Sequence, residues 1–90
     1  MENWLNCTVS DGMFPGEKAV KIQSHNQFVS FFLSDDTDII RVHEKNKQLR
    51  VTVLDYDSEY ALVSLPKETI EGSNIVKVYR MDLSHDPIQH

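Results

Sequence analysis

Cysteine occurs once in this chain, at Cys7, and glycine and proline occur three times each. One thiol excludes an internal disulfide. So few glycines exclude an extended phosphate cradle, and the one stretch of suggestive composition, Gly12-Met13-Phe14-Pro15-Gly16-Glu17-Lys18, has the wrong glycine spacing and a proline where amide donors are needed. No apolar run approaches the roughly 20 residues that cross a bilayer, and no 11-residue window repeats apolar side chains at helical spacing. His25, His43, His85 and His90 never stand at a zinc-ligand spacing. The start of the chain, Met1-Glu2-Asn3-Trp4-Leu5-Asn6, lacks the basic and apolar segments of a secretory leader, so the expected compartment is the cytoplasm. There Cys7 stays reduced, and the glycosylation pattern Asn6-Cys7-Thr8 is a chance match.

The chain has 90 residues, with 14 acidic against 9 basic side chains and a net charge of −5. That length supports one modest core, and the charge disfavours nucleic acid as a partner. The expected domain runs over residues 1–82, with 83–90 as a flexible tail lacking periodicity.

Alternating apolar residues dominate what is present. Residues 49–65 read as a hairpin with an acidic, aromatic turn. An odd-length loop puts Leu49, Val51, Val53, Ala61, Val63 and Leu65 on one face and Arg50, Thr52, Leu54, Tyr60, Leu62 and Ser64 on the other. A one-residue slip would turn the first set towards water. A second hairpin spans 17–33. With His25-Asn26 as a type I′ turn, Ile22 faces Val29, Val20 faces Phe31 and Lys18 faces Leu33.

Leu5, Cys7 and Val9 share the inward face of a first strand, and Met13-Phe14 is expected to fold over a barrel end. Ile39 to His43 predicts a strand turning at Asn46-Lys47, with Ile40 and Val42 inward, Arg41 opposite Thr52, and Ile39 beside Leu54. A 3₁₀ turn is expected at Thr69-Ile70-Glu71. The strand from Ile75 to Arg80 is expected to pair with the first strand and close the sheet. The fold class is all-β: a small meander barrel, nearest in kind to SH3-like barrels, with an OB-like barrel or a small β-sandwich as alternatives.

No catalytic motif is readable. Cys7 faces the core, where thiols are inert. Asp35-Asp36-Thr37-Asp38 clusters carboxylates, but an EF-hand counted from Asp36 would need Gly and Glu where Arg41 and Lys47 stand. No metal and no cofactor is expected, and an enzyme would require a deep pocket near Trp4, Phe14 or Tyr79.

The distinctive feature is an apolar second face. Phe28, Phe32, Ile39, Leu54, Tyr60 and Leu62, with Tyr56 at the tip among Asp55, Asp57 and Glu59, form a candidate patch for a protein partner or a second copy. The acidic rim favours a basic partner. The alternative is a barrel binding RNA or single-stranded nucleic acid through Arg41, Lys45, Lys47 and Arg50.

Overall fold

The computed structural model describes residues 2–34, 38–70 and 72–86. Eight strands follow in order: β1 (Glu2–Asp11), β2 (Glu17–Gln23), β3 (Phe28–Ser34), β4 (Ile40–His43), β5 (Asn46–Tyr56), β6 (Tyr60–Ser64), β7 (Ile75–Tyr79) and β8 (Leu83–Asp86). A single 3₁₀ turn, Arg80–Asp82, is the only helical element among the described residues. The expected all-β class holds. One antiparallel sheet, ordered β3-β2-β1-β5-β6-β7 with β4 added on β5 and β8 on β1, curls into a half-barrel.

The inward face is the one that alternation assigns. Leu5, Val20, Ile22, Val29, Phe31, Leu49, Val51, Ala61, Val63, Leu65, Val76 and Val78 form the buried core, with Cys7, Val9, Leu33 and Val53 packed against it. The β2–β3 ladder has the expected register, Lys18↔Leu33, Val20↔Phe31 and Ile22↔Val29. Its turn is not type I′, because that type needs positive φ at both central residues and Glu44 is the only described non-glycine residue with positive φ. Side-chain bonds replace that geometry: the buried Ser24 donates through N–H and Oγ to the Gln27 carbonyl, at 2.7 and 2.8 Å.

Several expectations fail. The β4–β5 turn lies at Glu44-Lys45, where Glu44 takes φ 55°, so Arg41 faces Gln48 and Val42 faces Lys47. That register gives the buried Gln48 amide its partners and leaves Val42 exposed. Ile39 therefore lies against the core rather than beside Leu54, its carbonyl accepting the Arg50 N–H at 2.8 Å. β7 pairs with β6, not with β1. After the 3₁₀ turn the chain returns as β8, and its pairing with β1 starts the supposed tail as a strand. Met13 and Phe14 stand out in solvent instead of covering the core. In the 66–74 connection, Thr69 is buried and bonded to Ser73, while Glu71 lies outside the described residues.

The two ends of the curled sheet meet along a seam without a continuous ladder. The His25 N–H donates to the Lys77 carbonyl at 2.8 Å, and the Ile70 N–H to the Ser30 carbonyl at 2.8 Å. The Tyr79 hydroxyl adds a 3.1 Å bond to the His25 carbonyl.

Candidate functional site

The outer face of β5–β6–β7 is shaped by one extra residue. Thr52 and Val53 pair with Ser64 and Val63, but the next pairs are Asp55↔Leu62 and Tyr56↔Ala61, so Leu54 is a bulge. The odd count inferred from alternation is thus real, but it arises from a bulge plus a two-residue tip, Ser58-Glu59, rather than from an odd loop. A bulge keeps two successive side chains on one side of the sheet and shifts all that follow. Leu54 and Asp55 both face outwards, and Tyr56 turns to the inward side opposite Ala61.

Tyr56 stands exposed at the tip. It sits beyond the end of the core, with the Arg80 guanidinium 4.8 Å from its ring centre. Arg80 is held there by a 2.7 Å bond from Nη1 to the Asp57 carbonyl. The tip itself needs no glycine because the Asp57 carboxylate accepts the N–H groups of Glu59 and Tyr60, both at 2.8 Å. Those bonds, Tyr60's first, hold the Asp57 carboxyl below its ordinary range.

On the outer side, Leu54 is 50% and Leu62 38% exposed. Tyr60 stands opposite Tyr79, and Leu62 opposite Lys77. The two tyrosine rings lie 5.3 Å apart, the His25 ring meets Tyr60 edge-on at 6.2 Å, and the Lys77 ammonium sits 4.6 Å from the Tyr60 ring centre. Glu59, then partial burial, raises the Tyr60 phenol above its usual value. A concavity of about 280 Å³ is lined by Asp55, Tyr56, Asp57, Tyr60, Ala61, Leu62 and Lys77. The alternation pattern does not single out Lys77, Tyr79 and His25 for this surface. The outward parity of Lys77 and Tyr79 is visible in the sequence, but their place depends on β7 joining β6.

The remaining patch residues lie elsewhere. Phe28 borders a depression with Asn6, Cys7, Lys21 and Asp82, and Lys21 lies over its ring at 5.2 Å. Phe32 is half-buried on β3 opposite Ala19. Ile39 lines a hollow of about 360 Å³ with Asn3, Arg50, Leu65 and Pro66.

The basic stretch is divided between faces. Lys47 pairs with Cys7 and Val42, whereas Arg50 pairs with Trp4 on the other side of β5. Lys45 occupies the turn. Arg41 donates to Gln48 at 2.9 Å and covers the Trp4 ring at 4.2 Å. Gln48 in turn donates to Asn6 Oδ1 at 2.9 Å and Ser84 Oγ at 3.2 Å, tying β4, β1 and β8 to β5. Burial raises the Asp82 carboxyl above its usual value, against a hydrogen bond with Asn6.

Trp4 is buried on this polar outer side with its indole N–H unpartnered among the described residues. Its burial rests on packing and the stacked guanidinium. Phe14 lines a hollow formed by its own loop, Asp11 to Lys18. Cys7 is half-buried, and desolvation pushes its thiol up to about 11 against a weaker pull from Lys47. A thiol so placed is a poor nucleophile at neutral pH.

Among the described residues, no three His, Cys, Asp or Glu side chains converge to hold a metal, and Asp35 and Asp36 lie outside them. No described helix is long and apolar enough to cross a membrane. Comparison with family models, with curated proteins and with solved structures yields no match.

Proposed function

We propose that the chain is a non-enzymatic interaction module acting in the cytoplasm, a small barrel of SH3-like kind that binds a protein partner or itself through the outer face of β5–β6–β7. The observation that carries this reading is the exposure of Leu54 and Leu62 together beside the Tyr60–Tyr79 pair, on a sheet whose other face already closes a core. Apolar side chains ringed by polar groups are the composition of a docking surface.

The rim carries both charge signs: Asp55 and Glu59 on one side, Lys77 on the other. With the Asp57 carboxylate occupied by backbone N–H groups, the surface suits a partner of mixed charge more than a strongly basic one. The nucleic-acid alternative is weaker, since Lys47 and Arg50 project to opposite faces and Arg41 lies on Trp4.

Photo-crosslinking from position 62, compared with position 67, tests the reading in extract of the source cells. A specific adduct at 62, lost when Leu54→Ser is added, is the expected outcome. An adduct pattern equal at both positions, or unchanged by Leu54→Ser, rejects the surface. Tyr60 is a poorer site for the test because its ring also packs on His25 across the seam.

A further inference from the structure

The outward side chains of β5–β6–β7 fall into three rows across the strands. Thr52, Ser64 and Ile75 make the first, and Asp55, Leu62 and Lys77 the second. The third is Asp57, Tyr60 and Tyr79, closed by the Asp57 N–H on the Tyr60 carbonyl at 2.9 Å. Leu54, the bulged residue, lies between the first two rows on the β5 side. On the β7 side Ile75 is 47% exposed, close to the 50% of Leu54. Each flank of β6 thus offers an open aliphatic side chain next to one charge, and the two charges are opposite.

Neither charge is spent within the chain. Asp55 is exposed, and while its Oδ1 accepts the Tyr56 N–H at 2.8 Å, Oδ2 takes no hydrogen bond among the described residues. Lys77 is exposed with its ammonium 4.6 Å from the Tyr60 ring centre, and among the described residues it forms no ion pair.

This pattern is its own complement under one symmetry. A two-fold axis running along β6, between two copies set face to face, exchanges the β5 and β7 sides. Asp55 of each copy then meets Lys77 of the other, Leu54 meets Ile75, and Leu62 meets Leu62. Within the three rows no like charges come together. An axis across the strands would instead set Asp55 on Asp55 and Lys77 on Lys77, which opposes association.

We infer, resting on the reading of β5–β6–β7 as the docking face, that its occupant is a second copy of the chain, packed sheet to sheet about an axis along β6. The contact is isologous, so each pairing occurs twice. Facing sheets stand about 10 Å apart, a gap that two leucines fill and that a lysine and a carboxylate span. Three strands about 4.8 Å apart make a patch smaller than the roughly 800 Å² per partner of a standard interface. The dimer is therefore weak and grows in towards millimolar concentration.

Sedimentation equilibrium of the full chain up to about 1 mM tests the pairing, and the wild type should dimerise as concentration rises. Asp55→Lys and Lys77→Asp, each alone, bring like charges together twice per dimer and should weaken association at least about tenfold. Mixed in equal amounts, the two variants restore opposite charges at both contacts and should associate at least about tenfold more tightly than either alone. A wild type that stays monomeric at the highest concentration overturns the inference. So does a dimer that survives both reversals, or a mixture no tighter than its components. Photo-leucine at position 62 of the pure chain decides the matter even if a reversed chain fails to fold: an adduct joining β6 to β6 is expected, and its absence rejects the second copy. Capture of position 62 only by another protein rules out the second copy while the β5–β6–β7 surface stands; with no capture from either source, both fall.

Discussion

The hairpins β2–β3 and β5–β6 both turn through two residues without glycine, yet they reach that end differently. In β2–β3 the ladder runs unbroken from Lys18↔Leu33 to Gln23↔Phe28, and the neutral, buried Ser24 closes it through the Gln27 carbonyl. In β5–β6 the ionised Asp57 gathers two backbone N–H groups at an exposed tip, and the Leu54 bulge interrupts the ladder. The first hairpin is built for packing, because its inward pairs Val20↔Phe31 and Ile22↔Val29 are apolar and buried and lock the register. The second gives up one ladder position and thereby sets two consecutive side chains, Leu54 and Asp55, outwards. Side-chain acceptors and donors replace glycine in both, but only the bulged hairpin gains a shaped outer surface.

That contrast can be broken most forcefully in the straight ladder. Phe31→Ala removes the largest fully buried side chain and should cost about 3–5 kcal/mol by chemical denaturation. A loss under about 1 kcal/mol would mean that the β2–β3 face is not core. Deletion of Leu54 should cost less, under about 2 kcal/mol, because pairing on both sides of the bulge keeps its facing. Nuclear Overhauser contacts between residues 56 and 61 should survive that deletion. Their replacement by a shifted set would show that the tip, not the bulge, carries the odd count.

Ser24→Ala probes the other closing device and should cost about 1 kcal/mol, the net worth of one buried hydrogen bond. Asn26→Gly separates turn types with a smaller effect. A type I′ turn would gain from glycine, whereas this tip, with no positive φ, should lose up to about 1 kcal/mol through added freedom in the unfolded chain. A measured stabilisation would restore the primed turn.

The finest comparison is in pH. The Asp57 carboxyl is held below its unfolded value, so its contribution is complete above the ordinary carboxylate range and is lost as pH falls through the lowered folded value. Amide exchange at Glu59 and Tyr60 should therefore accelerate on acidification, after correction for intrinsic rates, while that at Gln27 should not. Asp57→Asn should remove the difference, and equal responses at the two tips would refute the assignment.

Much of the fold is legible in single residues. The alternation of Val20, Ile22, Val29 and Phe31 against polar neighbours specifies both facing and register, since any slip would expose the set. The same logic places Leu49 to Leu65 correctly inside, although it cannot tell an odd loop from a bulge, which give the same count. It fails at β4–β5, where Gln48 has no apolar signature. Its buried amide finds partners on β1, β4 and β8 that lie far away in the sequence. The candidate surface is half visible: Leu54, Tyr60 and Leu62 read as outward residues and Tyr56 as a tip residue, but the bulge that reverses facing beyond Leu54 has no local signal.

Composition and alternation by themselves determined an all-β chain with one core, because period-two burial leaves a helix no consistent apolar stripe. Tertiary structure alone decided which strands became neighbours: β7 beside β6, β8 rather than β7 on β1, and Tyr79 against Tyr60 with His25 across the seam. Those choices depend on hydrogen-bond partners and curvature between segments tens of residues apart, and the local pattern of side chains is the same whichever edge a strand joins.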